Sequence, residues 1–362
     1  MRTHRSPLGL HRRHGFRPPP ERLAHHRSDA ATRHDQQMPD GLIVNENGFI
    51  LARDARAAGL ASSLHRALAA GEIDRVRKGV YVLRREPDPK MSKAEQRAMA
   101  YRRQVLAAGQ TLTAPVFASY SAVALHRLPI YGEWSPNIHV LSPDGHGHRR
   151  TGLISIARCH DPAIETIEGC AVTAVEASVI QFARDAPLAA ALTAVDAAIR
   201  TTRLRTHPPK TTIERLWAEH ERMGRYTGVR KVRAVLERSS TLADTPLETC
   251  SRLVIEEWGF PEPELQHELW LPELGKRAFL DFYWEEYGIG AEADGRGKYL
   301  GQADAAASAH TVVEEKDREN AIRRQLRGFD RWDWTEMRQR FPVRNRLRAV
   351  GLPVVRRPIR LL

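Results

Sequence analysis

Cysteine is scarce in this chain of 362 residues: Cys159, Cys170 and Cys250 are all there is, and they fall in no metal-ligand spacing. So sparse and odd a set argues against a disulfide framework and for a reducing cytosol, hence a cytoplasmic protein. No apolar run reaches the roughly 18 residues that a membrane-spanning helix needs. The first 40 residues lack the continuous apolar stretch of a secretion signal. No internal repeat is visible, and no platform of aromatics is set out to stack the bases of RNA.

What is abundant is positive charge. Lys and Arg number 56 against 44 Asp and Glu, a net charge of +12, which favours polyanionic partners through counterion release. Part of the excess lies in residues 1–40, with eight Arg, six His, four acidic side chains and the triplet Pro18-Pro19-Pro20. That stretch reads as a disordered basic arm, or as an upstream extension of the reading frame with the start near Met38. The remaining length suits two or three domains at about 100–200 residues each.

Residues 41–85 form a first unit. Phe49, Ile50, Ala55 and Ala58 suggest a helix that stops at Gly59, and Ala61–Leu68 a second, with Leu64 and Leu68 spaced to bury one face. Two short β segments, Ile73–Val76 and Val80–Leu83, join across Arg77-Lys78-Gly79. This order is that of a winged helix-turn-helix. Ser62, Ser63, His65 and Arg66 would then face the major groove of double-stranded DNA, and Arg75, Arg77 and Lys78 its phosphates. A small helical packing module with solvated arginines fits the same pattern.

Residues 86–201 read as a charged helical connector and an α/β unit. Its strands are expected at Ile138–Leu141, Leu153–Ala157 and Ala171–Thr173, its helices at Ser119–His126, Val175–Ala183 and Leu188–Thr201. The loop from Asp144 to Arg150 carries two His but suits a solvated turn better than a metal. Residues 202–244 read as a helical bridge with Arg230, Lys231 and Arg233 exposed. The wing segment Arg75–Val82, together with Ala118-Ser119-Tyr120-Ser121-Ala122-Val123-Ala124-Leu125-His126-Arg127-Leu128-Pro129, resembles the AbiEi-type antitoxins of type IV toxin–antitoxin systems. The resemblance implies operator binding by the N-terminal half and a cognate toxin as partner.

A third unit spans residues 245–345, with 346–362 as a tail. Thr245, Pro246 and Glu248 make a helix start of the capping-box kind, and that helix would bury Leu253, Val254 and Trp258 before Gly259. Phe279–Trp284 alternates, so Leu280, Phe282 and Trp284 can enter a core while Asp281 points away. The returning strand carries Glu292 and Asp294 on one face. Centring the turn on Glu286 and Tyr287 pairs Trp284 with Ile289 and, three residues on, Asp281 with Glu292. Facing carboxylates stand roughly 4.5–5.5 Å apart at Cβ and repel unless compensated. Mg²⁺, which takes hard oxygen ligands, would compensate them, activate a water and stabilise charge on a scissile phosphodiester. Surface carboxylates facing water are the alternative.

The strings Asp281-Phe282-Tyr283-Trp284 and Glu292-Ala293-Asp294-Gly295-Arg296-Gly297-Lys298-Tyr299 resemble the PD-(D/E)XK nucleases, in a branch related to the very-short-patch-repair endonucleases. Glu315–Glu319 and Leu326–Phe329 resemble that branch's closing helix and strand. The resemblance implies a restriction-endonuclease-like mixed sheet flanked by helices, with Asp281 and Glu292 as metal ligands and Glu248 assisting. The family's lysine two residues after the Glu is replaced here by Asp294, so Lys298 or Lys316 would have to supply its role. Lys316, Arg318 and Arg323 on the closing helix are candidate phosphate contacts, and Arg331 a cleft cation beside the aromatics Trp332 and Trp334. The expected whole is an α/β multidomain protein with two competing functions. One is a Mg²⁺-dependent endodeoxyribonuclease targeted by its winged helix. The other is a non-catalytic antitoxin-like repressor that retains a degenerate nuclease domain.

Overall fold

The computed structural model describes residues 41–201, 208–294 and 305–362, with side chains in the last stretch from 313 onward. It is a mixed α/β structure whose described strands form three separate sheets. No described helix is long and apolar enough to cross a membrane. Residues 1–40, and with them the basic arm and Met38, lie outside the described residues.

The first sheet has the order β1-β3-β2, from β1 (Ile50–Leu51), β2 (Ile73–Arg77) and β3 (Val80–Leu83), with α1 (Ala52–Ala57) and α2 (Ala61–Ala69) between β1 and β2. Gly79 takes φ of 80°, the left-handed conformation that lets the β2–β3 hairpin turn in so few residues. Two expectations need correction. Ile50 opens no helix, and neither does Phe49 before it: Ile50 pairs with Tyr81 in the sheet, where a β-branched side chain packs well. Leu68 is 37% exposed, and the inner face of α2 is made by Leu64 and Ala67 instead, three apart rather than four.

A helix α3 (Lys93–Gly109), started by a Ser92–Glu95 capping box, lays Tyr101, Val105 and Ala108 into a core shared with Phe49, Val80 and Val82. The second sheet follows, in the order β6-β7-β5-β4-β9-β8. Its strands are β4 (Val116–Phe117), β5 (Ile138–Leu141), β6 (His148–Arg150), β7 (Leu153–Ile156), β8 (Ile164–Ile167) and β9 (Cys170–Thr173). Sequence patterning misses β4, which is too short for a period, and the polar edge strands β6 and β8. Over it pack α4 (Ser119–Leu125) and α5 (Val175–Asp185), and α6 (Leu188–Ile199) packs in turn on α5. Both α7 (Ile213–Arg222) and α8 (Val229–Arg238) join the same core through Leu216, Val232, Val235 and Leu236.

The third sheet, β10-β11-β12-β13, arises from the order helix, three strands, helix, strand. These are α9 (Pro246–Glu257), β10 (Glu264–Leu271), β11 (Lys276–Trp284), β12 (Ile289–Ala293), α10 (Ala305–Gln325) and β13 (Gly328–Trp332). Each of the first three strands runs antiparallel to its neighbour, and β13 returns parallel to β12. Phe282, Trp284 and Trp332 pack with Leu247 and Val254 of α9, whereas Ala278 and Leu280 pack with Ala321 and Ile322 of α10. A Cβ on Gly290 would meet Leu326 at 2.7 Å, so a residue without one lets the end of α10 close over the sheet. Trp334 lies past β13, at the start of α11 (Trp334–Gln339), which leads into α12 (Phe341–Ala349). The last residues are tied down: Val355 and Arg356 N–H donate to the Gly259 carbonyl, Ile359 N–H to that of Glu257. Leu362 then packs against the cores of both the second and third units.

Candidate functional sites

The acidic cluster, or acidic cleft, is assembled from four elements of the third unit. Thr245 caps α9 by accepting from Glu248 N–H, which fixes the first turn and points the Glu248 carboxylate back along the helix start. That carboxylate accepts from Asp244 N–H at 2.9 Å and from the Thr245 hydroxyl at 2.8 Å. Gln266 Nε2 bridges onward, 3.0 Å from Glu248 and 3.1 Å from Asp281. The other Asp281 oxygen accepts from Ala293 N–H at 2.8 Å.

Asp281 stands where the sheet's pairing lapses on both sides. The β10–β11 ladder passes from Leu265–Phe282 to His267–Leu280, and the β11–β12 ladder ends at Phe282–Ala291. Gln266, opposite it, holds φ of 54°, a left-handed conformation that costs about 1–3 kcal/mol in a non-glycine residue. Burial first, and then the neighbouring Glu248 carboxylate, push the Asp281 pKa up to about 8, against the lowering effect of the Ala293 N–H. Burial likewise raises that of Glu248. A protein that spends strain and like-charge repulsion at one point has a demand there for positive charge.

Glu292 meets that demand differently. It is 6% exposed, and Arg318 of α10 grips both its oxygens, at 2.6 and 3.3 Å, so it is no surface carboxylate facing water. Arg331 on β13 adds a contact at 3.5 Å and pairs also with Asp294 at 2.9 Å, Glu315 at 3.0 Å and Glu319 at 3.3 Å. The register expected from the turn holds from Trp284–Ile289 to Phe282–Ala291. It stops one step short of a direct Asp281–Glu292 pair: Asp281 bonds to the strand backbone at Ala293 while Glu292 turns to Arg318. Among the described residues, no three His, Cys, Asp or Glu side chains stand at metal-holding spacing.

Of the other residues singled out, Lys298 lies outside the described residues. Asp294 is committed to Arg331, and Arg323 to Glu319 and the Phe329 carbonyl, while Lys316 is exposed. Sequence reasoning missed Gln266 and the inward turn of Arg318. Neither leaves a signal in a linear pattern, because one depends on a backbone kink and the other on a helix 26 residues from its partner.

The second site is the surface of residues 42–84. Ser62, His65 and Arg66 are exposed on α2, and Arg75 and Lys78 on the hairpin, with Arg77 half-buried. Ser63, expected to be exposed, is buried at 8% and accepts from Arg66 at 3.2 Å, because it shares the inner face of α2 with Leu64 and Ala67. A register shift between Arg75 and Arg77 bends β2 near the hairpin tip.

Residues 42–84 match the model of a family described as "Transcriptional regulator, AbiEi antitoxin". The match covers far less than half of the chain, and the third unit lies outside it. No curated protein matches the chain.

Proposed function

We propose that this is a DNA-binding protein whose third unit is a restriction-endonuclease-like domain acting on DNA phosphodiesters with Mg²⁺. The observation that carries this reading is the junction of Glu248, Asp281 and Glu292, from α9, β11 and β12, at a point where the pairing of β11 lapses on both sides. The order of helices and strands, with β12 and β13 parallel and α10 between, is also that expected of the fold. In donor chemistry the residues fit the ion, since all three offer carboxylate oxygen and no described cation pairs with Asp281 or Glu248.

On this reading Asp281 and Glu292 would hold Mg²⁺, with Glu248 assisting. When bound, the ion would lower the pKa of a coordinated water and offset charge developing on the phosphate. Gln266 sets the positions of Asp281 and Glu248 through one amide, and Arg331 keeps Asp294 and Glu319 out of the cleft. The test is nicking of supercoiled plasmid by the full chain with Mg²⁺, beside Asp281→Ala and Glu292→Ala. Activity confined to the unaltered chain supports the reading, and equal traces in all three sink it.

The family match favours a second reading for residues 41–85: a winged helix-turn-helix that represses its own promoter within a toxin–antitoxin pair, with a cognate toxin as partner. The exposed His65, Arg66, Arg75 and Lys78 support it. Absence of salt-dependent binding to the promoter fragment would exclude it. Promoter binding by a chain that never nicks plasmid would favour the regulator over the nuclease.

A further inference from the structure

The acidic cleft carries a cation of its own. Arg318 covers both oxygens of Glu292 with its terminal nitrogens, and it reaches Glu315 at 3.3 Å and the Phe279 carbonyl at 3.4 Å. A carboxylate held in that two-point grip has its best lone pairs occupied, so an incoming hard cation would compete for the same atoms. The competition falls on one arm of the site only, since Asp281 and Glu248 are held by an amide and by hydrogen bonds to neutral groups.

The two arginines differ in their freedom to leave. Arg331 is 21% exposed and shared among Glu292, Asp294, Glu315 and Glu319. Arg318 is 29% exposed, with Glu292 and Glu315 as its two acidic partners, and it lines a surface groove with Lys276 and Arg277. Moving Arg318 outward needs a side-chain rotation and brings its fork toward the groove that it lines with Lys276 and Arg277 of β11. A planar guanidinium there suits a phosphate oxygen pair.

We propose that Arg318 is an exchange residue: it covers Glu292 in the metal-free protein, yields that carboxylate to a divalent cation, and then takes a DNA phosphate. The proposal rests on the acidic cleft being a metal site, as put forward above. It makes metal and DNA bind cooperatively, because each ligand takes up one half of the broken ion pair.

Calorimetric titration of Mg²⁺ into the full chain tests it, comparing the unaltered protein with Arg318→Met, Arg318→Lys and Glu292→Gln. Removing the competitor should tighten Mg²⁺ binding by roughly ten- to a hundredfold. Lysine, which keeps the charge but grips at one point, should tighten it less, and it serves as the readout if the methionine variant fails to fold. A merely structural arginine would move affinity the other way. Adding a phosphorothioate duplex should tighten Mg²⁺ binding to the unaltered chain and leave Arg318→Met unchanged. Equal or weaker binding by the two Arg318 variants, with the unaltered chain binding Mg²⁺, overturns the exchange and leaves the cleft reading standing. So does a duplex effect that persists in Arg318→Met, for the phosphate half of the proposal. No Mg²⁺ binding by any of the proteins overturns both.

Discussion

Replacing Asp281 with Asn removes a carboxyl group that the folded protein holds at a pKa of about 8 and the unfolded chain at about 3.8. Below about pH 4 both states carry the proton, and the group does not affect stability. Between about pH 4 and pH 8 the unfolded chain binds fewer protons than the folded one, so stability falls as pH rises, and above pH 8 the loss is complete. The difference between 3.8 and about 8 corresponds to a ceiling of about 5.7 kcal/mol, at 1.36 per pKa unit. Asp281 retains some contact with solvent and shares its repulsion with Glu248, so about 2–4 kcal/mol is the expected loss. Asn can keep the bond from Ala293 N–H, while the Gln266 amide can turn to face it. The variant should therefore match the unaltered chain near pH 3 and exceed it by that margin at pH 9. Five of the seven tryptophans lie in residues 245–345, so urea unfolding followed by tryptophan fluorescence reports on this unit. Saturating Mg²⁺ at pH 9 should stabilise the unaltered chain and not the variant. An Asn variant less stable by a constant amount at every pH would refute the argument, since Asp281 would then be an ordinary structural acid.

Other outcomes follow from the same geometry. Gln266→Ala should be less stable than Gln266→Gly by about 1 kcal/mol, because only the alanine keeps the left-handed strain at φ 54°; paired urea titrations measure the difference. Arg331→Met should destabilise the third unit by about 3 kcal/mol, with part of the loss recovered in the double variant carrying Glu292→Gln. Gly259→Ala, whose Cβ would collide with the Arg356 carbonyl at φ 75°, should release the C-terminal segment and speed tryptic cleavage at Arg356 and Arg360. In salt titrations of promoter-fragment binding, Arg75→Ala and Lys78→Ala should each lower the slope of log affinity against log salt by about 1, and Ser63→Ala should leave it unchanged.

The sequence was most informative where a residue's local environment decides its conformation. Thr245-Pro246-Leu247-Glu248 starts α9 because cap, ring and carboxylate act within one turn. Ile138–Leu141 lies at the bounds read from its apolar run, and the turn around Glu286 set the β11–β12 register. It was least informative where exposure depends on what lies opposite. Ser63 and Leu68 exchange places relative to expectation because the core beneath α2 is closed by Ile73 together with Ile50, from the strand β1 that sequence spacing does not reveal.

By itself the sequence determined which atoms are available: the acids of the third unit, the cations of α10 and the basic hairpin, each placed by local periodicity on a strand or helix. The tertiary structure alone decided their partners. It lapses the sheet's pairing at Asp281, kinks the chain at Gln266, and brings Arg318 across 26 residues onto Glu292. Periodicity fixes a side chain's direction from its own element, but a carboxylate's charge state depends on whichever groups the fold gathers around it.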